Sequence, residues 1–278
     1  MQLDLDHLRG WIGREDTSSE PMTVETVRRY NALFDRESDL SDGAAAPVMI
    51  HYCLCQPAAP MAQLGEDGHP ARGGFLPPVP LQRRMWAGGT LDFTGEIRIG
   101  ETVNRTTRIL DVTAKEGQSG LLCFLTLEHS YLSGPRAVLT ERQNIVYREP
   151  AAEAKSGAAP DPAPTGTSTR QIVPTPPFLF RYSAVTYNGH RIHYDAPYAR
   201  EVEGYPGLIV HGPLQATLLT QFAQDLRGAP PRRVTVRAKS PVFDVAPFTL
   251  NAVEDGPALN LWSATEGGPV GMEARVEW

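Results

Sequence analysis

At 278 residues the chain is too long for one small core and long enough for two modest domains, and a hydrophobic fraction of 41% lets each bury a core. A net charge of -6 argues against nucleic acid as the main partner, because phosphate binding needs a basic face. Three cysteines, Cys53, Cys55 and Cys123, form no regular framework and suit a reducing compartment; Cys53-x-Cys55 is too tight for a zinc pair, so no metal is expected. The opening MQLDLDHLRGW lacks the basic and apolar regions of a signal peptide, and no apolar run approaches the ~18 residues of a membrane span. These features predict a cytoplasmic protein with no membrane partner.

Along the chain, Thr23 predicts a helix N-cap, with Val24, Val27, Tyr30, Leu33 and Phe34 at helical spacing. Val48–Leu54 is apolar and fits either a helix or a strand. Residues 58–80 read as loop, since five prolines there exclude regular ladders. Thr90–Ile97, Glu101–Val112, Leu121–Tyr131 and Ala137–Val146 predict an antiparallel meander punctuated by glycines. Residues 149–170, rich in Ala, Pro and Gly without a large apolar side chain, read as a linker. Beyond it, Phe178–Ser183 reads as a strand and Pro197–Val202 as a short helix. Leu214 to Leu226 reads as an amphipathic helix with Pro213 at its first position, stopped by Gly228. Four strands follow: Val234–Val242, Phe248–Val253, Leu259–Ser263 and Gly271–Glu277. The cluster Arg232, Arg233, Arg237 and Lys239 fits either a phosphate contact or a solvated strand edge. The order helix, then strands, thus occurs twice. It divides the chain into residues 1–148, a linker over 149–170, and residues 171–278.

Chemistry concentrates between Arg181 and Leu219, where His190, His193 and His211 stand among Tyr182, Tyr187, Tyr194 and Tyr198. Polar tips on apolar bodies suit a pocket for an acyl thioester. Asn188, four intervening residues, His193, a short helix and then His211–Gly212 opening a longer helix resemble the signature of the MaoC-like, R-specific enoyl-CoA hydratases and hydroxyacyl-thioester dehydratases. TYNGHRIHYD, with Gly13–Asp16 and RRMWAGG at Arg83–Gly89, is similar to their two-hot-dog subgroup, which includes mitochondrial-type dehydratases and mesaconyl-CoA hydratases. The likeness covers most of the chain. It implies an α+β double hot-dog fold, two antiparallel sheets each wrapping a central helix, with a catalytically silent first half. It also implies a hydro-lyase that adds water to, or removes it from, an enoyl or 3-hydroxyacyl thioester, including branched dicarboxylic acyl groups. No cofactor is implied, since CoA or phosphopantetheine belongs to the substrate. Association into a homo-oligomer stays open.

Within that resemblance His193 is the base and acid, because imidazole titrates near neutrality. Gly212 offers an N–H at a helix start to the thioester oxygen. Asn188 departs from the Asp that many single-hot-dog members carry; an amide holds water but takes no proton near neutral pH. Asp195 stands as a substitute. Substrate contacts are expected from His211, Arg84, Trp86, Tyr194 and Arg191, with Arg83 as a second cation. Two other classes stay open: a binding module that holds thioesters without turnover, and a thioesterase on the same fold.

Overall fold

The computed structural model describes residues 3–117, 120–149 and 161–278. Ten strands form one continuous sheet. In chain order they are β1 (Glu15–Pro21), β2 (Arg83–Phe93), β3 (Thr102–Gly117), β4 (Gly120–Ser133), β5 (Arg136–Arg148), β6 (Ser168–Ile172), β7 (Arg233–Ala238), β8 (Phe248–Asp255), β9 (Ala258–Thr265) and β10 (Val270–Glu277). Their spatial order is β1-β3-β4-β5-β2-β7-β10-β9-β8-β6. Read outward from its centre, the sheet repeats one order of strands twice. The strands before residue 149 lie on one side and those after it on the other. The seam is an antiparallel pairing of β2 with β7, from Gly88↔Arg237 to Asp92↔Arg233. Two of the four basic side chains on and beside β7 are ion-paired, Arg233 across the seam with Asp92 at 3.3 Å and Lys239 with Glu273 of β10 at 3.2 Å.

Four α-helices accompany the sheet among the described residues: α1 (Leu5–Arg9), α2 (Val24–Leu33), α3 (Pro176–Val185) and α4 (Gly212–Arg227); the short helix expected over Pro197–Val202 is a π-helical turn, Tyr198–Val202. Thr23 caps α2 as its sequence predicts, its hydroxyl accepting the Thr26 N–H at 3.1 Å. Every residue of α4 from Leu214 to Ala223 is buried, so this helix is wrapped on all sides. It begins at Gly212, with His211 as N-cap, so Pro213 takes the second helical position and not the first. In the first half residues 34–82 hold two 3₁₀ turns, Ile50–Cys53 and Met61–Gln63, where the second half holds α4. Tyr30 of α2 reaches α4, where Gln221 Nε2 donates to its hydroxyl at 3.3 Å.

Several segments depart from the sequence reading, among them β2, which runs Arg83–Phe93 where Thr90–Ile97 was expected. Phe178–Ser183, expected as a strand, lies in α3: Thr175 caps it, accepting the Phe178 N–H at 3.3 Å, and Pro176–Pro177 pre-set its first turn. Leu179, Tyr182 and Ser183 are its buried side, a helical spacing hidden inside an apolar run. The two outermost strands, β1 and β6, are short and polar and carry no apolar alternation. Ser168–Arg170, placed in the linker, open β6, while residues 150–160 lie outside the described residues.

Candidate active site

His193 closes a 3₁₀ turn, Arg191–His193, and its side chain is buried. Its Nδ1 lies 2.7 Å from the Ile209 carbonyl oxygen. A carbonyl only accepts, so Nδ1 carries the proton and Nε2 keeps a lone pair. Ile209 is fixed in turn, its N–H donating to the Ile192 carbonyl at 3.0 Å. Burial pushes the His193 imidazole down to about 4, against the opposing pull of the Ile209 carbonyl. The ring is therefore neutral at pH 7 and ready to accept a proton.

His211 stacks on that ring at 3.7 Å with an interplanar angle of 19°. It is fully buried; its Nε2 bonds Ser183 Oγ at 2.8 Å, and its Nδ1 finds no partner among the described residues. Burial holds it well below the ordinary imidazole value. Gly212 follows at the first position of α4, where the N–H has no intrahelical acceptor and the helix dipole adds positive character. Trp86 of β2 lies against it: a Cβ on Gly212 would sit 2.6 Å from the indole Cε3. A first-half side chain thus closes the space around the second half's helix start.

Asn188 accepts the His190 N–H on Oδ1 at 3.0 Å, a turn-forming bond that leaves the amide NH₂ for water. Asp195 has both carboxylate oxygens engaged. Its Oδ2 accepts from Arg191 Nη2 at 2.8 Å and its Oδ1 from the Tyr198 N–H at 3.1 Å. Arg191 is thereby committed to Asp195, with its guanidinium over the Tyr198 ring. Tyr194 is partly exposed and donates to the Gly189 carbonyl at 2.9 Å. Arg83 pairs with Glu203 at 3.3 Å. Arg84 has no ion-pair partner among the described residues, and its charge acts on both His69 and His190.

One part of this neighbourhood was not foreseen. Asp67 and His69, from the proline-rich loop of the first half, lie against His190: the His69 and His190 rings are 4.1 Å apart, and His190 meets His193 edge-on at 5.3 Å. Four of the seven histidines of the chain so form one series of ring contacts. The only sequence signal was a histidine two residues from a carboxylate in a loop flanked by prolines. No metal was expected, yet Asp67, His69 and His190 bring ligand atoms within 4.8 Å of one another.

The family model "Hydroxyacyl-thioester dehydratase type 2" matches residues 49–244. The mesaconyl-C(4)-CoA hydratase of Chloroflexus aurantiacus is 40% identical over 276 residues, with 96% of each chain covered. The mitochondrial hydroxyacyl-thioester dehydratases type 2 of Schizosaccharomyces pombe and Saccharomyces cerevisiae are 26% and 25% identical, covering 76% and 82% of this chain and 78% and 82% of their own. Both yeast proteins are mitochondrial by name, which overturns the cytoplasmic expectation. No helix among the described residues is long and apolar enough to cross a membrane. In fold, a MaoC-like dehydratase is matched with a TM-score of 0.72 at 14% identity, covering 98% of this chain and 99% of the other. A Mycobacterium tuberculosis protein with a double hotdog fold is matched with a TM-score of 0.58 at 13% identity, covering 95% of each. The α+β double hot-dog expectation holds, with the two sheets fused at the β2–β7 seam. With most of its length matched by the family and nearly all of it by one relative, this chain belongs to the hydroxyacyl-thioester dehydratase type 2 family.

Proposed function

We propose that this hydratase/dehydratase of enoyl and 3-hydroxyacyl thioesters works with one base, His193, and acts on a branched dicarboxylic acyl-CoA. The observation that carries the first part is the bond from His193 Nδ1 to the Ile209 carbonyl. It fixes the tautomer and leaves Nε2 unprotonated on a buried ring that stacks on His211, the N-cap of α4. In the hydration direction, water held by Asn188 and His193 attacks C3 of the enoyl thioester. Its proton passes to Nε2 as the double-bond electrons move onto the thioester oxygen. The Gly212 N–H and the helix dipole stabilise that enolate. The imidazolium then returns the proton to C2, which completes a syn addition and restores neutral His193. Dehydration runs the same steps backward.

Support for the acyl class comes from the mesaconyl-C(4)-CoA hydratase relative and from Arg84, a cation with no acidic partner among the described residues beside the histidine series. A free carboxylate in a closed site needs such a partner, and a guanidinium meets it in two bonds. A panel of monocarboxylic and dicarboxylic enoyl-CoA substrates, followed by loss of the conjugated thioester absorbance, tests the class. We expect Arg84→Met to lower kcat/KM for the dicarboxylic members by about tenfold or more while the monocarboxylic members change little. Equal losses on both would remove Arg84 from carboxylate recognition, and binding without turnover across the panel would make the protein a thioester-binding module.

A further inference from the structure

Residues 64–71 of the first half fold back on themselves. Leu64 bridges Pro70, the Gly65 N–H donates to the His69 carbonyl at 2.7 Å, and the Ala71 N–H donates to the Gln63 carbonyl at 2.8 Å. This turn rests on the second half's Asn188–Arg191 loop. The Arg191 N–H donates to the Asp67 carbonyl at 2.9 Å and its guanidinium to the Glu66 carbonyl at 3.2 Å. The two backbones touch at paired glycines. Gly68 has φ +86°, and a Cβ there would collide with the Gly189 carbonyl; a Cβ on Gly189 would sit 2.8 Å from the Gly68 oxygen. The crossing fixes where Asp67 and His69 stand.

Asp67 commits both oxygens to His69, Oδ1 to its backbone N–H and Oδ2 to Nδ1, each at 3.0 Å. A carboxylate only accepts, so His69 Nδ1 carries the proton and Nε2 holds a lone pair. These bonds make Asp67 and His69 a hydrogen-bonded pair. Around His69 stand Arg72 from the same loop, Arg84 from β2, and His190 and Arg191 from the second half, the last paired with Asp195. Glu66 and Tyr198 face the Asp67 side. Burial keeps His69 below the ordinary imidazole value; Asp67 opposes that and Arg84 and Arg72 add to it. The corner thus holds cations and neutral rings, and Asp67, whose oxygens are already engaged, is the carboxylate bonded to His69.

We infer that the Asp67–His69 pair, carried by the first half, receives the free carboxylate of the acyl group together with Arg84, and that His69 takes a proton from solvent as that carboxylate arrives. The inference rests on the dicarboxylic reading given above. A carboxylate borne on or beside the carbon that takes water lies close to His193, and His190 and then His69 are the groups in ring contact on that side. Its charge favours the imidazolium and reverses the balance that keeps His69 neutral in the free protein. Ligand binding is then linked to proton uptake.

Calorimetry of the full chain with succinyl-CoA and butyryl-CoA, which share a chain length and do not react, tests this at pH 7 in two buffers of different ionisation enthalpy. We expect uptake of about one proton with succinyl-CoA and none with butyryl-CoA. His69→Gln should abolish the uptake and weaken succinyl-CoA by about tenfold. Asp67→Asn keeps the imidazole but loses its carboxylate, so the uptake should move to lower pH; this variant carries the test if His69→Gln fails to fold. If the parent prefers succinyl-CoA and takes up a proton while His69→Gln behaves identically, the assignment to His69 falls and the dicarboxylic reading stands. Equal binding of the two thioesters without uptake overturns both. Tight binding of Zn²⁺ alone, lost in His69→Gln, would make the cluster a metal site and overturn the inference.

Discussion

Burial lowers the His193 imidazole to about 4, so its protonation is displaced from the physiological range into mild acid. Hydration requires the neutral ring. Below that value the ring holds a proton and cannot accept one from water, so with a monocarboxylic enoyl-CoA, whose binding takes up no proton, kcat/KM should fall as pH drops through about 4 and stay level above it. A pH profile with its acid limb near 6.5, the unperturbed imidazole value, would contradict a dry base. His193→Ala should cost about 10²–10⁴-fold in turnover, read by enoyl absorbance on folded protein. If Asn188 and His193 hold one water as proposed, Asn188→Asp brings a carboxylate to that water, favours the imidazolium, and should move the acid limb to higher pH. The alternative partner, Asp195, is held by Arg191 and the Tyr198 N–H, which fits a role in shaping the turn around His193. The proximity of His193, His211 and Gly212 was legible because those residues share one short stretch of chain. The arrival of Asp67 and His69 was not, because that contact joins segments on opposite sides of the linker and leaves no local periodicity to read.

The start of α4 and strand β2 meet at one contact, Gly212 against the Trp86 ring. The two elements belong to different halves, and on the proposed mechanism the contact would set how near the helix N-terminus comes to the acyl group. Gly212→Ala keeps the N–H but drives a methyl into the indole, so it should lower kcat by about tenfold or more. Trp86→Ala opens that space. In the double variant the loss should be smaller than the product of the two single losses, and a double-mutant cycle measures the coupling. Additive losses would mean that the ring does not restrain the helix start. At this scale the sequence was readable in β3 and β4, where one face is buried and one is not, and in α4, buried all round, through Pro213 near its start and Gly228 at its end. It misled at α3, where the apolar run FLF suits either period, and Thr175 with two prolines was the stronger signal. Edge strands β1 and β6 bury little, so nothing in their side chains announced them.

Across the whole molecule, His69, His129, His190, His193 and His211 are all held below the ordinary imidazole value, with burial the largest cause in each. An unfolded chain protonates these rings near pH 6.5, whereas the folded chain does not until a lower pH. The unfolded state therefore binds more protons over that interval, and stability falls as pH falls, by about 1.4 kcal/mol per pH unit for each ring involved. Asp67, bonded to His69, and Glu141, beside His51 and His129 and accepting from the Tyr52 hydroxyl, are held below the carboxylate range despite burial and add to the loss further down. Denaturant titrations between pH 7.5 and 4.5 should show the unfolding midpoint dropping steeply below about 6.5. A flat profile would mean that the rings are solvated or already charged. The β2–β7 seam bears on a different matter, the bookkeeping of change. In a dimer of identical hot-dog subunits every substitution appears twice, once at each site, and a change that suits one position is imposed on its mate. In this chain the two sides of the seam are separate stretches of sequence, so each substitution is felt once. One side can trade a long helix for a loop that reaches across to its neighbour, and the neighbour keeps its helix and its base.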